Sequence, residues 1–106
     1  MNLRTTMVCT ALLALGAMAH AADASVSGQR LYASCAGCHG SNGQAVGTTL
    51  PELAGQPKDR IVAAMRAFKS GTRDATIMHQ IAKGYTDEQI EQIAAFLATQ
   101  PATSKK

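Results

Sequence analysis

Tryptophan is absent from this 106-residue chain, and its aromatic rings are limited to Tyr32, Phe68, Tyr85 and Phe96. Four rings are too few to build a core on aromatic stacking. A small domain of this composition therefore gains from any bound group that brings flat apolar surface. No run of Lys and Arg occurs, so a nucleic-acid role lacks its electrostatic basis, and the closing Lys105-Lys106 pair reads as a solvated tail. Alternation of β-branched and aromatic residues is missing too, which argues against a sheet and leaves an all-α reading. The one long apolar stretch, Met7 to Met18, is too short to span a bilayer.

That stretch follows Arg4 and leads into Ala19-His20-Ala21, the small-residue pattern of a secretory cleavage site. Residues 1–21 are expected to be removed as a signal peptide. One domain, residues 22–106, then remains, exported to a bacterial periplasm without stable membrane insertion. Cys9 leaves with the leader, and the exported chain keeps Cys35 and Cys38. Nine basic and seven acidic residues also remain, a formal charge of +2 that selects no partner class.

Three segments show helical spacing. Gly28, Leu31, Tyr32 and Cys35 fall at i, i+3, i+4 and i+7, with Asp23, Ser25 or Ser27 as candidate caps. Ile61, Ala64, Met65 and Phe68 repeat the spacing, with Pro57 suited to the first turn and Gly71 to the exit. Ile90, Ile93, Ala94 and Leu97 mark a last helix. Thr86 and Gln89 form a capping box at its start, Asp87 and Glu88 fill the first turn, and Pro101 ends it. Residues 40–55 are rich in Gly, Ser, Thr and Asn and read as a loop, while residues 77–83 can form one or two helical turns.

The string Cys35-Ala36-Gly37-Cys38-His39, C-x-x-C-H, carries the chemistry. Two thiols three positions apart can each form a thioether to one vinyl group of a haem, and the histidine is then placed to bind the iron. A redox dithiol of the thioredoxin type would follow a strand, and none precedes it here. A zinc site would need Cys35, Cys38, His39 and His79, without the second compact ligand pair that zinc domains show. The expected cofactor is one covalently attached haem c, whose two propionates would nearly cancel the chain's charge.

An iron held by His39 has a second face to close. Met65 lies on the apolar stripe with Ile61 and Phe68 and is read as core. Met78 sits in a short segment between Gly71 and Gly84 and is the candidate sixth ligand, with the adjoining His79 as its rival. A ligating histidine donates its other ring N–H to an oxygen, and the carbonyl of Pro51 is the candidate acceptor. Leu50 and Leu53 pack either on the cofactor or in the core, and Arg73 and Gln56 are candidate propionate contacts.

Over essentially all of residues 22–106 the chain resembles a class I cytochrome c. The marks are Gly28 and Tyr32 before the C-x-x-C-H string, Leu50-Pro51-Glu52-Leu53-Ala54-Gly55-Gln56, Phe68-Lys69-Ser70-Gly71-Thr72-Arg73, Met78, and a final helix bearing Phe96. The resemblance implies first and last helices that cross at Gly28 and Phe96 around one haem. It also implies Pro51 against the proximal histidine and Met78 as sixth ligand. The stretch from Thr76 to Glu88 is similar, more narrowly, to the haem subunit of flavocytochrome c sulfide dehydrogenases. The expected function is one-electron transfer between redox proteins, with no catalysis on a substrate. Expected partners are a flavoprotein dehydrogenase or a terminal oxidase. A haem-based sensor or small peroxidase is the alternative of another class.

Overall fold

The structure, a computed structural model, describes residues 25–103. The expected signal peptide and the candidate cap Asp23 lie outside them. All five helices in this region are explained by local chemistry plus one shared core. They are α1 (residues 25–32), α2 (Ala36–His39), α3 (Lys58–Ser70), α4 (Met78–Ile81) and α5 (Asp87–Ala98). Two 3₁₀ turns, Ser41–Gly43 and Ala82–Gly84, follow α2 and α4. No strand occurs among the described residues.

Ser25 and Ser27 lie within α1 and so do not cap it, a correction to the sequence reading. Pro57 stands just ahead of α3 with φ −55°, which suits helix entry. At the other end Gly71 adopts a left-handed conformation and donates to the Phe68 carbonyl at 3.1 Å. The capping box of α5 is formed as expected. Gln89 N–H donates to Thr86 Oγ1 at 3.2 Å, and Thr86 N–H donates to Gln89 Oε1 at 2.9 Å.

The apolar stripes of α3 (Ile61, Val62, Met65) and α5 (Ile90, Ile93, Ala94, Leu97) meet in one core with Tyr32, Ala82 and Phe96. Burial of Ile90 and Leu97, both essentially sealed from water, is worth about 1.5–3 kcal/mol each. Glu91 on α5 pairs with Lys58 at 2.8 Å and Arg66 at 3.2 Å on α3, and Lys69 pairs with Asp87 at 3.5 Å. These pairs are solvent-exposed and contribute little beside the core.

The crossing of α1 over α5 depends on Gly28. A Cβ there would stand 2.3 Å from the Gln92 carbonyl oxygen and 2.9 Å from Phe96 Cβ, so only hydrogen fits. One turn further along α1, the rings of Tyr32 and Phe96 lie 5.6 Å apart at 40°. This contact between the first and last helices fixes the platform from which the cysteine motif projects.

Candidate functional site

A three-residue turn joins α1 to α2, closed by Cys35 N–H donating to the Tyr32 carbonyl at 2.8 Å. The backbone then winds one helical turn, with the Cys35 carbonyl accepting from Cys38 N–H at 3.2 Å and His39 N–H at 2.9 Å. Positions three and four apart on a helix share a face, so both thiols and the imidazole emerge from one short rigid piece. Cys35 and Cys38 form no disulfide; Cys35 is half-buried and Cys38 exposed.

His39 is the buried polar side chain of the core region, 8 % exposed, and its Nδ1 makes no hydrogen bond. Burial pushes its pKa below the ordinary histidine value, while the Pro51 backbone carbonyl pulls it back up. That carbonyl faces the ring yet stays outside hydrogen-bonding geometry at Nδ1. A neutral imidazole is the form that ligates a metal, and desolvation favours it here. Gly40 ends α2 with φ +79°, and a Cβ on it would lie 1.9 Å from the Gln44 carbonyl oxygen. Its own carbonyl accepts from the Tyr32 hydroxyl at 2.6 Å. Tyr32 is pushed up in pKa by its burial, as befits a neutral donor.

The loop that brings Pro51 round is tied down by backbone. The Gly43 carbonyl accepts from both Leu53 and Ala54, Gly55 N–H reaches the Leu97 carbonyl at 2.9 Å, and Gln44 Nε2 donates to the Pro101 carbonyl at 2.7 Å. Leu53 packs on the core and Leu50 is exposed, which separates the two residues that sequence left equivalent.

Met78 opens α4, half-buried and packed against the core that also receives Cys35. Met65 is buried in that core, as expected. His79 is half-buried and makes no hydrogen bond or ion pair among the described residues. The loop carrying Pro51 and the segment carrying Met78 also expose large apolar side chains, Val46 (95 %) and Leu50 on the first, Ile77 (58 %) and Ile81 on the second. A large flat apolar cofactor suits such surfaces, and the donor set of two thiols, a buried imidazole and a thioether fits a haem. No group of three or more His, Cys, Asp or Glu side chains is arranged for a metal ion among the described residues, so the zinc set of Cys35, Cys38, His39 and His79 is not assembled.

Arg73 and Gln56, the candidate propionate contacts, each have a neighbour within the protein. The Arg73 guanidinium lies 4.8 Å over the Phe68 ring, and Gln56 Nε2 donates to the Glu52 carbonyl. Sequence reasoning missed Ser34 and Tyr85, whose hydroxyls hydrogen-bond each other beside Cys35. Burial pushes the Cys35 thiol up in pKa, and hydrogen bonds from these two hydroxyls oppose that shift.

A family model described as Cytochrome c matches residues 25–101. The cytochrome subunit of sulfide dehydrogenase from Chlorobaculum tepidum is 42 % identical over 69 residues, which is 65 % of this chain and 62 % of that protein. Cytochrome c4 from Pseudomonas aeruginosa is 33 % identical over 96 residues, covering 89 % of this chain and 48 % of the relative. Among solved structures, cytochrome c4 from Acidithiobacillus ferrooxidans superposes with a TM-score of 0.68 at 35 % identity, over 72 % of this chain and 49 % of that one. The chain thus spans between about half and three fifths of the length of these proteins.

Proposed function

The chain belongs to the cytochrome c family, and on that premise we propose that it is a periplasmic carrier of single electrons between redox proteins. The family implies one covalently attached haem c. In this reading Cys35 and Cys38 would hold the macrocycle, and His39 and Met78 would ligate the iron. When bound, haem c supplies a reversible one-electron couple at its iron, and a thioether paired with an imidazole raises the potential relative to two imidazoles.

The observation that carries the reading is His39. It is a buried imidazole, fixed on the same helical turn as Cys35 and Cys38, with the Pro51 carbonyl beside its ring. The protein's own groups do the rest. Tyr32 pins the Gly40 carbonyl and so the end of α2, the loop tied to Leu97 brings Pro51 to the imidazole, and the α3–α5 core carries α4. This arrangement orients the candidate ligands. The signal peptide and export belong to this proposal, and no helix among the described residues is long and apolar enough to cross a membrane.

A second reading draws on the similarity to the Chlorobaculum tepidum cytochrome subunit. In it the chain is the electron-accepting haem subunit of a flavin-dependent sulfide dehydrogenase. Stable co-purification with a flavoprotein would favour that role, whereas a free monomer that exchanges electrons with an oxidase would favour the carrier. Both readings require a six-coordinate iron. The native reduced protein should bind carbon monoxide poorly, and Met78→Ala should open the site and lower the potential. Rapid carbon monoxide binding by the unmodified protein would point to a sensor or peroxidase instead. An unchanged spectrum and potential in Met78→Ala would remove Met78 as ligand.

A further inference from the structure

Tyr85 stands where the two ligand-bearing segments meet. Its hydroxyl hydrogen-bonds Ser34 Oγ, 51 residues away in the chain, and Ser34 Oγ lies 3.9 Å from Cys35 Sγ. Its backbone is fastened separately. The Tyr85 carbonyl accepts from Lys69 Nζ at 2.7 Å, its N–H donates to the Ala82 carbonyl at 3.3 Å, and Lys69 continues to Asp87 at 3.5 Å. The residue is therefore held on α3 through its main chain while its side chain reaches back to the turn before α2.

Between Met78 and Tyr85 lie only α4 and one 3₁₀ turn. Helix α4 has four residues and no side-chain cap, and a single helical turn does not persist without tertiary support. Among the described residues, Tyr85 is the member of 78–85 whose side chain hydrogen-bonds the segment running from Ser34 to His39. Its ring packs on the same core as Cys35 and Met78.

We infer that the Ser34–Tyr85 hydroxyl pair is a clasp that holds the Met78 segment against the cysteine arm and governs how readily Met78 gives way to an external ligand. The inference rests on Met78 as the sixth ligand. Ser34 and Tyr85 are positioning residues: neither touches the iron, and each acts through the segment it fastens. Loss of one hydroxyl frees the segment by the net strength of one hydrogen bond, so displacement of Met78 should accelerate on the order of two- to tenfold.

The test is imidazole binding to the oxidised haem-loaded protein, followed spectroscopically in Tyr85→Phe, Ser34→Ala, the double variant and Met78→Ala. Tyr85→Phe keeps the ring and its packing, and Ser34→Ala reports on the same bond from the exposed side. Both single variants should bind imidazole faster, and the double variant should be no faster than either. Two outcomes overturn the clasp while leaving the ligand reading intact, provided Met78→Ala itself binds imidazole freely. These are single variants with the unmodified rate, whatever their melting temperature, and effects that multiply in the double variant. If Met78→Ala binds imidazole no faster than the unmodified protein, the ligand reading falls and the clasp with it.

Discussion

Gly28→Ala places one methyl group where the first and last helices cross, and its effect can be worked out from the geometry. The added Cβ would meet the Gln92 carbonyl oxygen at 2.3 Å and Phe96 Cβ at 2.9 Å. The first obstacle is helix backbone that cannot rotate aside, so α1 must lift from α5 or tilt. Overpacking of this kind costs about 1–3 kcal/mol. Replacing a helical glycine by alanine returns roughly 0.5–1 kcal/mol of backbone entropy and propensity. Packing wins, because relief of the clash also loosens the Tyr32–Phe96 contact on the same face. A net loss of about 1–2 kcal/mol corresponds to a melting temperature lower by roughly 4–16 °C in a domain of this size. Thermal unfolding of the haem-loaded protein by circular dichroism measures it, with Gly84→Ala as the control because a Cβ there meets nothing within 4 Å. A Gly28→Ala protein as stable as the unmodified one would refute the close crossing.

Three further outcomes are expected. Thr86→Ala removes the hydroxyl that caps α5 and should cost about 1 kcal/mol, with Thr86→Ser restoring most of it in denaturant titrations. Ile90→Ala empties the fully buried centre of the α3–α5 core and should cost about 2–5 kcal/mol, a large share of the stability of a small domain, read from the same titrations. Glu91 is held below its ordinary carboxylate pKa, first by the hydrogen bond from Lys58. A depressed carboxylate stabilises the fold above its unfolded pKa and loses that contribution as pH falls through the folded value. Glu91→Gln should therefore lower the melting temperature slightly at pH 7, and the difference should vanish in acid. A difference that persists in acid would assign the effect to packing.

What could be read in the chain was what is encoded within a few residues. The capping box at Thr86 and Gln89, the stripe of Ile61, Met65 and Phe68, and the C-x-x-C-H turn each place their partners three or four positions apart. Gly28 and Phe96 became legible through family resemblance, since nothing local announces that two helices cross there. The remaining features depend on partners brought together by the fold. Ser34 and Tyr85 are 51 residues apart, and neither position carries a pattern that names the other. The stacking of Arg73 on the Phe68 ring is equally silent in the sequence, because an apolar partner leaves no charge signal. Leu50 and Leu53 flank the same proline with the same side chain, and only the turn held by the Gly43 carbonyl decides that Leu53 goes inward. At α1, Ser25 and Ser27 have good capping chemistry, yet the helix already includes them.

The covalent bond between this chain and its cofactor is tested most directly by the intact mass of the denatured protein, purified from a host able to mature c-type cytochromes. The expected result is a polypeptide heavier by one haem after full unfolding, with Cys35 and Cys38 inert to alkylation. A mass equal to the bare polypeptide, with two alkylatable thiols, would contradict it.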